Sequence, residues 1–460
     1  MAGPAAMNIG QMEESLTAAR GLPASLRYLL WRAVASYICA QLGLGIMAVA
    51  TGVAQAGWVG ALLILLLGGA TAYTTYLLGA VMLQMDSQDC WSSGHLCRYE
   101  DLATAFLGKP GRWAAQAMQW VMNGGSASMA HIVIATNLLE IQRIFAVDVL
   151  SKRQLILLTV CVELLPCWLL PSLTETFSLL AFGTVCSLLC GAVVVALALG
   201  TDASDTIAKC VDEHGGSGGN VWSFYTDGGG LTLSLNTVIL GFGGLNILPN
   251  ILVELRSRRV LDRVLHRFVW LSLSPITLVY VAVGTLGYYV GGQALASSKV
   301  DANILVALAG CDRPIWSRGM QLMILAYALI SIHLVMMVIG AFHVCAEMLE
   351  NTFNVRERTT QRSTQAILLR APFRLPLVVA IAMIAYSVPL FGAWLDVFAA
   401  VSWQGMIYIL PVLFYFAVQK RRGLAIAKSH LLGGGACLFL AGTAATVGLY
   451  YSVQKLLHSL

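Results

Sequence analysis

The chain has 460 residues, of which 58% are hydrophobic and only 11% charged, with a mean hydropathy of +0.76. A soluble globular domain of this length does not carry so few charges, so the composition excludes one and indicates a polytopic protein in a lipid bilayer. The net charge of +5 reflects loop topology and gives no reason to expect a nucleic-acid partner.

Residues 1–32 are small, polar and mixed in charge, with no compact apolar run before a cleavage site. They read as a cytoplasmic tail, and the first span acts as the insertion signal. A helix needs roughly 20 apolar residues to cross a bilayer. Eleven such stretches lie near 33–56, 58–84, 113–141, 154–170, 173–199, 229–252, 268–290, 316–347, 375–394, 398–418 and 430–455. The alternating strips of a membrane β-barrel are absent, so the expectation is an all-α protein with eleven transmembrane helices. With the N-terminus inside, the tail and inner loops hold most of the 28 Lys and Arg residues. That bias puts the N-terminus in the cytoplasm and the C-terminus outside or in a lumen.

Span one carries Leu42-Gly43-Leu44-Gly45, followed by a turn at Gln55-Ala56-Gly57-Trp58. In the first inner loop Cys90, His95 and Cys97 match no zinc spacing and read as a solvated loop, so no metal is expected. Span three places His131 after the small polar run Asn123-Gly124-Gly125-Ser126, and span four places Glu163 near Pro166. Ionisable groups at depth are costly and are functional suspects, which makes these two the leading proton-coupling candidates. A neutral histidine satisfied by a neighbouring carbonyl is the alternative.

The outer stretch 201–230 contains Gly215-Gly216-Ser217-Gly218-Gly219 and reads as a flexible loop. Cys210 lies in it and Cys311 in the other long outer loop; the two either bridge in an oxidising compartment or stay free. Most other cysteines fall within spans, as small apolar residues. The loop at 200–228 divides a first repeat, 33–199, from a second, 229–418, with 430–455 as an eleventh, appended span. Because five spans precede the loop, the halves enter the membrane from opposite sides, which is an inverted repeat.

Span six repeats the glycine pattern as Leu240-Gly241-Phe242-Gly243, then adds Gly244, Asn246 and Pro249. Paired glycines in corresponding spans predict that helices one and six are discontinuous and share a substrate site. Close helix packing through small residues is the competing explanation. In span eight His333, His343 and Glu347 are weaker coupling candidates, while Glu140, Glu175 and Glu254 sit near membrane boundaries where solvated carboxylates are ordinary. Trp403 and Gln404 in span ten are gate candidates, although packing is the commoner role of a buried tryptophan.

Several segments resemble the amino acid/auxin permease family: Gly43-Leu44-Gly45-Ile46-Met47 through Gly57-Trp58, Tyr99-Glu100-Asp101-Leu102 with Ala105-Phe106-Leu107-Gly108, Gly241-Phe242-Gly243-Gly244 with Leu248-Pro249 and Glu254-Leu255, and Gly284-Thr285-Leu286-Gly287-Tyr288. The resemblance implies a LeuT-type fold of five plus five inverted spans and secondary transport of amino acids. It implies that backbone around Gly43, Leu44 and Gly45 holds the substrate carboxylate and that around Gly241, Phe242 and Gly243 the amino group. Free N–H groups at half-helix N-termini suit the first role and unwound carbonyls the second.

The chain departs from the family in having Ala50 where many members have a proline and Gly244-Leu245 where many have a histidine. A LeuT-type sodium site would combine carbonyls near Cys39 and Leu42 with Ala328 and Ser331. One hydroxyl there is a thin set of oxygens for a hard cation. The expectation is therefore proton-coupled symport with no cofactor, sodium coupling and an amino acid sensor being the alternatives. No enzyme motif such as His-Glu-x-x-His or Gly-x-Ser-x-Gly is present. The plasma membrane and an acidic vacuolar or lysosomal membrane both fit.

Overall fold

Between Ala24 and Ala56 the chain has no proline, and leucine, isoleucine, methionine and alanine surround its two central glycines. Such a stretch has every reason to stay helical in hydrocarbon. A glycine costs about 1 kcal/mol relative to alanine, whereas each backbone group left unpaired in lipid costs several kcal/mol. The computed structural model accordingly shows α1 as one unbroken helix over Ala24–Ala56. This corrects the expectation of a discontinuous first helix. The model describes residues 24–85, 98–200, 222–253, 255, 258–296, 303–309, 317–361, 363–387 and 396–459. Cys90, His95, Cys97, Cys210, Glu254 and Cys311 lie outside them.

Gly57, at φ 73°, turns the chain from α1 into α2, Trp58–Gln84. Helices α3 (Tyr99–Ile144, kinked at Gly108, φ 70°), α4 (Lys152–Leu169) and α5 (Leu173–Gly200) follow. The sixth stretch is interrupted as expected: α6, Gly228–Gly241, stops at Phe242, a tight 3-10 turn covers Gly243–Ile247, and a six-residue helix resumes at Leu248–Val253. Three glycines within four residues weaken the helix there, and Pro249 supplies no N–H to carry it through.

Helices α7 (Arg258–Gly291), α8 (Ser317–Thr352), α9 (Thr364–Ser387), α10 (Leu410–Arg421) and α11 (Lys428–Ser459) complete the set. Ahead of α10 the backbone widens into two π-helical turns, Ala399–Trp403 and Gly405–Ile409, a geometry frequent at functional sites. Among the described residues, nine helical stretches are long and apolar enough to cross a membrane. Helices α3 and α4 cover the two other expected spans but carry inward polar residues, among them Asn123, His131, Asn137 and Glu163.

Helix α1 packs along α5, α6 and α7. It and the interrupted sixth stretch, Gly228–Val253, form the centre of the bundle: 89% and 83% of their most apolar parts are buried, against 28% for α11. At one end two buried arginines of α9 tie the bundle together. Arg374 pairs with Glu350 of α8 at 2.7 Å and donates to the carbonyls of Cys167, Leu170 and Pro171; Arg370 donates to Leu169 O. These carbonyls include the free C-terminal acceptors of α4, where cations are favoured.

Candidate functional site

The interruption of the sixth stretch opens a cavity between α1, α3, α5, α8 and the turn before α10. It offers about 50 Å³ to a water-sized sphere, room for roughly three or four waters. Ala40, Gln41 and Leu44 line it from α1, Met122, Asn123 and Ser126 from α3, Leu240, Gly243, Asn246 and Ile247 from the interrupted helix, and Trp403 from the π-helical stretch. Leu180, Met337, Gly340 and Ala341 complete the wall.

Of the six residues expected at a substrate site, Leu44 and Gly243 line this cavity. The other four build its frame. A Cβ on Gly45 would collide with the Tyr280 hydroxyl and lie 2.7 Å from the Gly241 Cα, so this glycine lets α1 and α6 touch backbone to backbone. A Cβ on Gly43 would come within 2.8 Å of His333 Nε2 and Met337 Sδ. Gly241 accepts from Tyr280, whose hydroxyl lies 2.7 Å from both the Gly241 and the Gln41 carbonyl oxygens. Phe242 is fully buried and packs edge-on against the Tyr280 ring, 5.2 Å between centroids, instead of forming a cavity wall. In α1, then, the glycine pair serves close packing.

Three of the polar residues lining the cavity are amides, beside the Ser126 hydroxyl and the Trp403 indole. Asn246 donates from Nδ2 to Asn123 Oδ1 at 2.7 Å, and Asn123 donates to Gln119 O at 2.9 Å. Gln41 is 2% exposed, and neither its oxygen nor its nitrogen completes a well-formed hydrogen bond, the Tyr37 hydroxyl one turn earlier being its polar neighbour. A buried group left so costs about 1–3 kcal/mol. Trp403 overhangs Gly243, whose added Cβ would strike the indole Nε1. Its neighbour Gln404 points elsewhere and donates to Asn236 Oδ1 at 3.1 Å. The polar residues of span one and the asparagines of spans three and six were the available signal for this lining.

His131 and Glu163, singled out separately, meet. His131 Nε2 is 3.4 Å from Glu163 Oε2, and both are buried. The side chains of the residues expected around sodium are engaged separately. Ser331 accepts from Asn137 Nδ2 of α3 at 3.3 Å, with Ala328 half-buried one turn before it. Cys39 faces His333, Sγ to Nδ1 3.8 Å. Two residues apart is about 200° around a helix, so α8 turns His333, not Ser331, towards Cys39. His333 donates from Nδ1 to Gly183 O at 2.8 Å, and its Nε2 is buried without a partner. Leu42 is fully buried in the α1 core. Of the weaker candidates, His343 lies against the Ile339 and Leu170 carbonyls and Glu347 pairs with Arg356 at 2.6 Å.

The model of the transmembrane amino acid transporter protein family matches residues 29–454. The chain belongs to this family. No curated protein matches it. Among solved structures this family member is similar to MHP1, a nucleobase-cation-symport-1 family transporter in a closed conformation with bromovinylhydantoin bound, at 12% identity over 94% of this chain and 91% of that chain, TM-score 0.53. It is also similar to MhsT in complex with L-phenylalanine, at 12% identity over 93% and 98% of the two chains, TM-score 0.49. At such identities the likeness to MHP1 speaks for the fold, a LeuT-type arrangement of helices in a multi-pass integral membrane protein.

Proposed function

We propose that this transporter-family member is a proton-coupled symporter of amino acids that works by alternating access around the cavity between α1 and the interrupted sixth helix. The observation that carries the reading is a buried, amide-lined space at the one break in the central helices, in a chain whose family transports amino acids. In this reading the first five spans and the next five form inverted repeats, the N-terminus is cytoplasmic, and one bundle rocks against the other.

Proton coupling is supported by the buried pair on α3 and α4. The Thr159 hydroxyl donates to Ile156 O at 2.8 Å, so towards His131 Nδ1, 3.2 Å away, it can only accept. Nδ1 therefore carries a hydrogen, and between Nε2 and the carboxylate one further proton is shared. A pair that holds one proton out of water, in neutral or ionic form, is the kind of group a proton-driven cycle loads and unloads. Turning Ser331 towards Asn137 leaves the sodium alternative with less support.

The test is uptake of labelled amino acids into proteoliposomes of purified protein under an imposed proton gradient and, separately, a sodium gradient. Accumulation with the proton gradient alone is expected. Accumulation only with sodium would replace the coupling ion, and saturable binding without accumulation would make the protein a sensor.

A further inference from the structure

Because α1 is unbroken through Gly43 and Gly45, its backbone N–H groups in that region are spent inside the helix. The free amides that a carboxylate would need are not there. What α1 offers the cavity in their place is a side chain. Gln41 projects from the middle of the helix into the cavity, almost wholly buried, and neither end of its carboxamide completes a well-formed hydrogen bond beyond its contact with the Tyr37 hydroxyl. Gly244 in the opposing turn makes room for it, since a Cβ there would lie 2.7 Å from Gln41 Cγ. No lining residue of the cavity is ionisable, so a ligand with a net charge would enter without a counter-charge.

Resting on the amino acid reading above, we infer that the Gln41 carboxamide is the group that recognises the zwitterionic head of a net-neutral amino acid. Its Nε2 donates to the α-carboxylate and its Oε1 accepts from the α-ammonium. The donor and acceptor of a carboxamide sit side by side, as do the acceptor and donor of a zwitterion, so one planar group answers both. A charged partner makes such hydrogen bonds worth more than neutral ones. Asn123 and Asn246 also line the cavity, but each already donates, Asn246 to Asn123 Oδ1 and Asn123 to Gln119 O.

A structural glutamine and a recognition glutamine differ in what their removal does. Gln41→Met keeps the length of the side chain and deletes the buried, incompletely bonded amide, so the full-length protein in detergent is expected to unfold at a higher temperature than wild type without ligand. It is also expected to lose the shift that millimolar L-alanine or L-serine gives wild type, and to bind the labelled amino acid at least about tenfold more weakly. Propionate and ethylamine, each holding half of the head group, are expected to shift wild type little. Wild-type and Gln41→Met proteins stabilised equally by the amino acids would overturn the role of Gln41 while leaving amino acid binding in place. A variant that melts lower and binds normally would overturn it too, as a packing residue. A wild type stabilised by no member of a panel of the common neutral amino acids would overturn the amino acid reading and this inference with it.

Discussion

His131 on α3 and Glu163 on α4 face each other across 3.4 Å with both side chains shut away from solvent, and Glu163 Oε1 has no partner at all. In the proton-coupled reading the exchanged proton lies between His131 Nε2 and Glu163 Oε2. Glu163→Gln substitutes an amide N–H for that proton and preserves the contact. The variant is expected to reach the membrane in normal amounts and bind substrate, yet to lose stimulation of uptake by an imposed pH gradient. An unchanged gradient response would confine the pair to a structural role.

Removing the histidine has a different consequence. His131→Ala leaves Glu163 buried with nothing to share its proton, and burying an unpaired polar or charged group is costly. Its thermal unfolding temperature should fall below that of Glu163→Gln. Equal unfolding temperatures would show that the two groups do not interact.

Gly45 tests how closely α1 and α6 must approach. In Gly45→Ala the new methyl meets both the Tyr280 hydroxyl and the Gly241 backbone, an overpacking worth about 1–3 kcal/mol. Transport should be lost along with part of the stability. Adding Tyr280→Phe should restore little of it, because the ring Cζ, 2.5 Å from the new methyl, and the Gly241 Cα both remain in the way. Full rescue would make the tyrosine hydroxyl the sole obstacle.

Gly124 is the matching control. It lies in α3 with nothing within 4 Å of an added Cβ, so Gly124→Ala should stabilise the helix by about 0.5–1 kcal/mol and leave uptake unchanged. Lost uptake in a stabler protein would show that α3 bends at this glycine during transport.

The α9 clamp should dominate stability. Arg374→Ala strands Glu350 and frees the carbonyls of Cys167, Leu170 and Pro171. Breaking a buried pair costs about 3–5 kcal/mol, and unfolding in detergent should show a drop of that order. A shift near zero would mean that water replaces the guanidinium.

By itself the sequence determined the solvent and the class of fold. Hydrocarbon leaves a backbone few options, so apolar length and scarce charge already specify a bundle of helices, and the Gly241 to Pro249 run specifies where one of them breaks. It also named His131 and Glu163, because ionisable residues stand out in an apolar chain. Only the tertiary structure decided what the glycine pair of α1 is for. Glycine is required both where backbone unwinds and where two helices touch, and Gly45 against Gly241 is the second case. Local pattern likewise could not reveal that His131 and Glu163 meet, that His333 and not Ser331 turns to Cys39, or that Gln41 lines the cavity. Those are relations between separate helices, set by how each is rotated in the bundle, and a difference of two residues reverses the face a side chain presents.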